Sequence, residues 1–206
     1  MKLYYAPGAC SLSPHIVARE AGLPVELSKV TFSENGRTTD EGENFFEVNP
    51  RGGYVPACRL DDGEVLIEGP AIIQYLADQA PEKRLLPERG TKAYYEALSW
   101  ITFISTELHK AFSPLFGAPG EDEKSRIILR LKKRYTYVDG ALAGKEYLLG
   151  KEFSIADAYL YTILRWSPVA GIALTDYPNL TAFMKRMEER AAVATALREE
   201  GLEPIA

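Results

Sequence analysis

The residues best suited to chemistry lie near the start of the chain. Cys10 and Ser11 follow the turn Pro7-Gly8-Ala9 and precede Ser13-Pro14-His15. Ser13 is the expected N-cap of a helix and Pro14 its first residue, where a missing N–H costs nothing. Cys10 and Ser11 are then expected in the loop just ahead of a helix N-terminus. Unsatisfied N–H groups and the positive end of the helix dipole favour a thiolate there, whether intrinsic or bound. A second set is Thr102, Thr106 and His109, at i, i+4 and i+7 of an expected helix, where one polar stripe can line a cleft. Other polar residues have plainer readings: His15 as a hydrogen-bonded structural residue, Cys58 as a buried strand residue and Asp157 as a helix cap.

Positioning these residues requires two kinds of structure. Leu3–Ala6 reads as a short buried strand, and Ala21-Gly22-Leu23-Pro24 ends the first helix. Val25–Val30 reads as a second strand, parallel to the first across that helix. Residues 31–43 are polar and read as a loop, and Phe45, Phe46 and Val48 mark a short helix that stops at Asn49-Pro50. Val55–Leu60 and Glu64–Ile67 flank Asp61-Asp62-Gly63, a hairpin signal. Pro70 then opens a helix whose buried pairs are Ile72/Leu76 and Ile73/Ala77. This order, βαβ, short helix, ββα, is that of a thioredoxin-like domain, a fold that keeps its reactive sulfur at the position of Cys10. Residues 81–90 read as a linker.

Beyond residue 90 the strand signals vanish, and residues 91–206 read as an all-helical domain. Tyr94, Leu98, Ile101, Leu108 and Phe112 recur at helical spacing until Ser113-Pro114. Asp122–Leu142 places Ile128, Leu131, Tyr135, Val138 and Leu142 inward. Ser154-Ile155-Ala156-Asp157 is a shortened capping box before an apolar, central helix. Helices around Pro178–Arg190 and Ala192–Glu200 are expected to close the bundle.

Composition bounds the partners. The 206 residues are 46% hydrophobic and 26% charged with a net charge of −5, so neither nucleic acid nor an anionic membrane is an expected partner. No run of about 18 apolar residues marks a membrane span, and the apolar part of Met1–Pro7 is too short for a signal peptide. Two cysteines in 206 residues fit the reducing cytoplasm, the expected location. A Cys10–Cys58 disulfide is not expected.

The chain resembles a bacterial beta-class cytosolic glutathione transferase from end to end. The pieces that carry the resemblance are Ala6–His15, Asn49-Pro50-Arg51-Gly52, Val55-Pro56, Glu68-Gly69, Glu107–Lys110 and Ser154–Tyr159. It implies an α+β architecture, a thioredoxin-like glutathione domain (1–80) joined to an all-helical domain (91–206) with the electrophile site, working as a homodimer. It also implies a cis Pro56, with Val55 pairing its backbone with the glutathione cysteine. Glu68 would take the γ-glutamyl amino group and the Gly69 N–H its carboxylate. Cys10 would lie beside the glutathione sulfur with Ser11 as a further donor, and His109 would reach the ligand from the helical domain. Tyr5, Arg37, Thr102 and Thr106 complete the implied glutathione contacts. Glutathione is then a co-substrate, with no cofactor and no metal. Arg165, Trp166, Tyr54 and Phe112 are candidate wall residues for a small hydrophobic electrophile.

The sequence departs from the family at two places and matches it loosely at a third. Gly53-Tyr54 supplies two residues before Val-Pro where one is common, which could tilt Val55 or place Tyr54 over the ligand. Thr102 stands where the class often has Asn, and the match of Arg37 to the family's loop cation rests on a loose alignment over Ser33–Asp40. Three functions compete at this stage. They are glutathione conjugation, glutaredoxin-like thiol–disulfide exchange through Cys10, and non-catalytic binding or regulation on the same fold.

Overall fold

The computed structural model describes residues 1–34 and 36–205. The described residues divide into two compact units, one built from Met1–Leu86 and Ala191–Pro204, the other from Pro87–Arg190 and Ile205.

In the first unit, strands β1 (Lys2–Tyr5), β2 (Glu26–Ser33), β3 (Gly36–Thr39), β4 (Ala57–Arg59) and β5 (Val65–Ile67) form one sheet in the order β3-β2-β1-β4-β5. β1 and β2 are parallel, with Leu3 opposite Leu27, and the other pairs are antiparallel. Helix α1 (Leu12–Ala21) makes the crossover, α2 (Phe45–Val48) precedes β4, and α3 (Gly69–Asp78) follows β5. Tyr4, Val30, Phe45, Val48, Val55 and Ala57 pack as one buried cluster. Side chains alternate along a strand, so Tyr5 leaves Tyr4's face, and its ring meets His15 of α1 at 6.1 Å.

Two expectations are corrected in this unit. Residues 31–43 are not simply a loop, because Thr31 to Ser33 extend β2 and Gly36–Thr39 return antiparallel to it. Most of this edge hairpin is polar, so it lacks an apolar run. Helix α1 also starts earlier than expected. Its N-cap is Ser11 rather than Ser13, and Leu12 N–H donates to Ala9 O at 3.0 Å. Pro14 falls within the first turn, where an absent N–H breaks no intrahelical bond. The Ser13 hydroxyl instead donates to Cys10 O at 3.0 Å. The Gly22 C-cap is as expected, in the left-handed region at φ 68°.

The C-terminal helix, Ala191–Glu200, belongs to this first unit rather than closing the helical bundle. Hydrogen bonds to His15 and an ion pair with Arg19 hold it there. His15 is fully buried, with Nδ1 2.9 Å from Glu200 Oε1 and Nε2 2.7 Å from Glu199 Oε2. Arg19 Nε donates to the same Glu199 oxygen at 2.7 Å. These long-range pairs leave no trace in local periodicity.

In the second unit, α4 (Lys92–Phe103) passes into a π turn (Ile104–His109) and then α5 (Lys110–Phe112). Helices α6 (Glu121–Leu142), α7 (Ile155–Leu164) and α8 (Pro178–Glu188) follow, and the C-terminal helix is α9. α6 buries Leu131, Tyr135, Val138 and Leu142 as its pattern indicates. All ten residues of α7 are buried, which makes it the central helix of this unit. Among the described residues, no helix is long and apolar enough to cross a membrane.

Candidate functional site

In the first unit the expected site residues gather at one end of the sheet. β1 runs into the turn that carries Cys10, and β4 is entered through Val55-Pro56, whose peptide bond is cis. Cys10 Sγ–H donates to Val55 O at 3.3 Å. No hydrogen bond from Val55 N–H to a described residue occurs, so this backbone can still pair with an extended ligand. A Cβ built on Gly69 would lie 3.7 Å from Pro56 Cγ, which places the start of α3 beside the cis-proline loop. Glu68, the exposed N-cap of α3, makes no side-chain cap bond, and its charge acts on Cys10.

Electrostatics decide the state of Cys10. The backbone N–H groups of Cys10 and Ser11 favour the thiolate, while burial and the Glu68 carboxylate oppose it. Burial dominates and pushes the thiol up to about 12, so Cys10 is a neutral donor near pH 7. A low-pKa exchange cysteine is the reverse. Alkylation of Cys10 by iodoacetamide, followed by mass spectrometry, is therefore expected to rise about tenfold per pH unit from 7 to 9. A plateau below pH 8 would show a thiolate instead. Both cysteines are free, and Cys58 is fully buried in β4.

Other expected contacts are engaged elsewhere. The Ser11 hydroxyl is buried, donating to Ala6 O at 3.2 Å and accepting from Ala6 N–H at 3.1 Å, so it braces the turn. Arg37 lies in β3, where its guanidinium donates to Gly52 O. It also sits over the rings of Phe32, Phe46 and Tyr54 at 5.0, 5.2 and 4.7 Å. The two-residue Gly53-Tyr54 segment thus turns Tyr54 outward, 65% exposed, onto Arg37. Gly52 is required there, since a Cβ at its φ of +120° would lie 2.8 Å from the Tyr54 ring.

In the second unit the expected Thr102-Thr106-His109 stripe is broken by the π turn. A π turn takes more residues than an α turn, so i, i+7 no longer returns to the same line. Thr102 and Thr106 are exposed, and their hydroxyls donate to Leu98 O and Thr102 O at 2.8 and 3.0 Å. His109 is half-buried, with Nδ1 2.7 Å from the Tyr159 hydroxyl. Burial, with a smaller effect of Lys110, pushes its imidazole down to about 4, so the ring is neutral at pH 7. Trp166 meets the rings of His109, Phe112 and Phe116 edge-on at 5.1, 5.7 and 5.2 Å. Tyr159, at long range from His109, carried no spacing signal that marked it as a partner.

A mixed sheet with a βαβ half, a ββα half and a cis-proline loop beside a cysteine-bearing turn is a thioredoxin-like domain, here in a chain that also has a helical unit. Residues 8–79 match the family model of the glutathione S-transferase N-terminal domain, and residues 103–191 that of the C-terminal domain. Glutathione S-transferase GstA of Escherichia coli O157:H7 is 44% identical, over 98% of this chain and 100% of the relative. Among solved structures, a ternary complex of BphK, a bacterial GST, is 50% identical with a TM-score of 0.94, covering 98% of this chain and 100% of that one. A sphingomonad glutathione S-transferase complexed with glutathione is 44% identical, TM-score 0.92, with the same coverage. The bacterial beta-class enzyme of Sphingomonas chungbukensis is 42% identical, TM-score 0.93, again with that coverage. The chain belongs to the glutathione S-transferase family.

Proposed function

We propose that this glutathione transferase binds reduced glutathione along the cis-proline loop and conjugates its sulfur to small hydrophobic electrophiles. The observation that carries this reading is the juxtaposition, within one unit, of Cys10, the Val55 backbone and the Glu68-Gly69 start of α3. Val55 offers an extended ladder to the cysteinyl backbone. Gly69 N–H, at a helix N-terminus, suits the γ-glutamyl carboxylate, and Glu68 suits the ammonium. Cys10 S–H and the nearby amides stabilise the glutathione thiolate by hydrogen bonding, while the electrophile comes to it. Thiol–disulfide exchange through Cys10 is disfavoured, because the thiol is held protonated. His109 is proposed to donate a hydrogen bond to the ligand, an assignment that rests on the family resemblance. The enzyme is proposed to act as a cytoplasmic homodimer, with glutathione as co-substrate and no cofactor.

Isothermal titration of the reduced protein with reduced glutathione tests the site. Saturable binding of one molecule per chain is expected, and no detectable binding overturns the reading. Conjugation of a model aryl halide is expected to survive, in part, in Cys10→Ala.

A further inference from the structure

We propose that Tyr159 is a positioning residue for His109, fixing by one hydrogen bond the tautomer that presents Nε2–H as a donor. The proposal rests on the reading that His109 meets glutathione, and it concerns how this chain prepares that ring.

Tyr159 lies on the buried helix α7 and is 1% exposed. Its hydroxyl is 2.7 Å from His109 Nδ1, and the two rings meet edge-on, 5.8 Å apart at 87°. The proton between them belongs on the oxygen. A phenol releases its proton near pH 10, far more readily than a neutral imidazole, and an imidazole nitrogen is a much better acceptor than a phenol oxygen. Tyr159 therefore donates and Nδ1 accepts. A neutral imidazole carries one proton, which must then sit on Nε2.

The tautomer decides what the ring can do. An Nε2–H donor stabilises a thiolate, a carboxylate or a carbonyl oxygen, whereas a bare Nε2 would repel a thiolate and act as a base. The ring is also confined sterically, since Trp166 meets it at 5.1 Å and 69°. The π turn that ends at His109 removes the residue from the line of Thr102 and Thr106, and π turns recur at functional sites. Tyr159 gives that displaced ring a fixed orientation.

The test combines spectroscopy and kinetics on the full chain. The chain has two histidines, so two-bond ¹H–¹⁵N spectra of the imidazoles are readily assigned by comparison with His109→Gln. The wild type is expected to show His109 as the Nε2–H tautomer from pH 6 to 8, and Tyr159→Phe to lose that pattern. Tyr159→Phe is also expected to lower kcat/KM for glutathione roughly tenfold, the scale of one hydrogen bond. In a His109→Gln background it should lower it no further. An unchanged tautomer in Tyr159→Phe overturns the proposal, as does a loss of the same size in both backgrounds. If His109→Gln alone leaves the kinetics unchanged, it is the assignment of His109 to the ligand that fails. The spectra then decide the Tyr159 proposal by themselves.

Discussion

Replacing Asp157 by alanine is expected to destabilise the protein by at least about 3 kcal/mol, since it leaves three buried donors without an acceptor at about 1–3 kcal/mol each. The Asp157 carboxylate is fully buried and accepts from Leu148 N–H, Ser154 N–H and the Ser154 hydroxyl, each at 2.8 Å. It thus caps α7 and fastens the preceding loop to the same helix. A loss of this size is a large part of an ordinary folding free energy of about 5–15 kcal/mol. In a chain of this length it should lower Tm by roughly 10 °C, as read by calorimetry at pH 7. A shift below about 2 °C would mean that these bonds are replaced by water. Ser154→Ala keeps the carboxylate and should cost about 1 kcal/mol.

The pH dependence has a defined sign. Burial pushes Asp157 up to about 6, against the pull of its three hydrogen bonds. The folded protein therefore holds this proton more tightly than the unfolded chain, whose Asp titrates near 3.9. That contribution is present at low pH and is lost as pH rises through about 6. Alanine has no such group, so the stability gap between wild type and Asp157→Ala should widen between pH 7 and pH 5. Parallel urea midpoints at the two pH values check this.

Local chemistry was legible where a residue type has one strong reason to stand in one place. The Asp61-Asp62-Gly63 hairpin, Pro70 at the start of α3 and the Ser154–Asp157 box all follow from backbone demands that few residues meet. The same logic misplaced the start of α1, because proline is tolerated throughout the first helical turn and so marks the turn rather than its first residue. β3 was missed because a polar edge strand carries no burial pattern. The position of α9 was not legible, since it is set by Glu199 and Glu200 meeting His15 and Arg19 about 180 residues away. The π turn was equally hidden, as a helical wheel assumes the spacing that a π turn violates. The family resemblance implies Arg37 as a ligand contact, while in the structure three aromatic rings and one carbonyl engage its guanidinium. Each exposed cation–π contact contributes only about 0.5–1 kcal/mol, but several acting together hold one side chain in place.

Glu68 is expected to be the residue whose loss weakens glutathione binding most. Its backbone is in the left-handed region at φ 73°, ψ 114°, which disfavours a residue with a Cβ by about 1–3 kcal/mol. The helix it precedes does not use its carboxylate as a cap. A strained, exposed acid that does nothing for its own helix is best explained by what it binds. A charge-assisted hydrogen bond contributes about 1.5–3 kcal/mol, so Glu68→Gln should raise the Kd for glutathione roughly 10- to 100-fold by titration calorimetry. Glu68→Gly separates binding from folding. Glycine adopts this conformation freely, so Tm should hold or rise while binding weakens as much as in Glu68→Gln. Both changes also remove the charge that raises the Cys10 pKa, and alkylation of Cys10 should quicken in each. If both variants bind glutathione as the wild type does, the carboxylate is not a ligand contact, and the strain at Glu68 must serve the close approach of Gly69 to Pro56 instead.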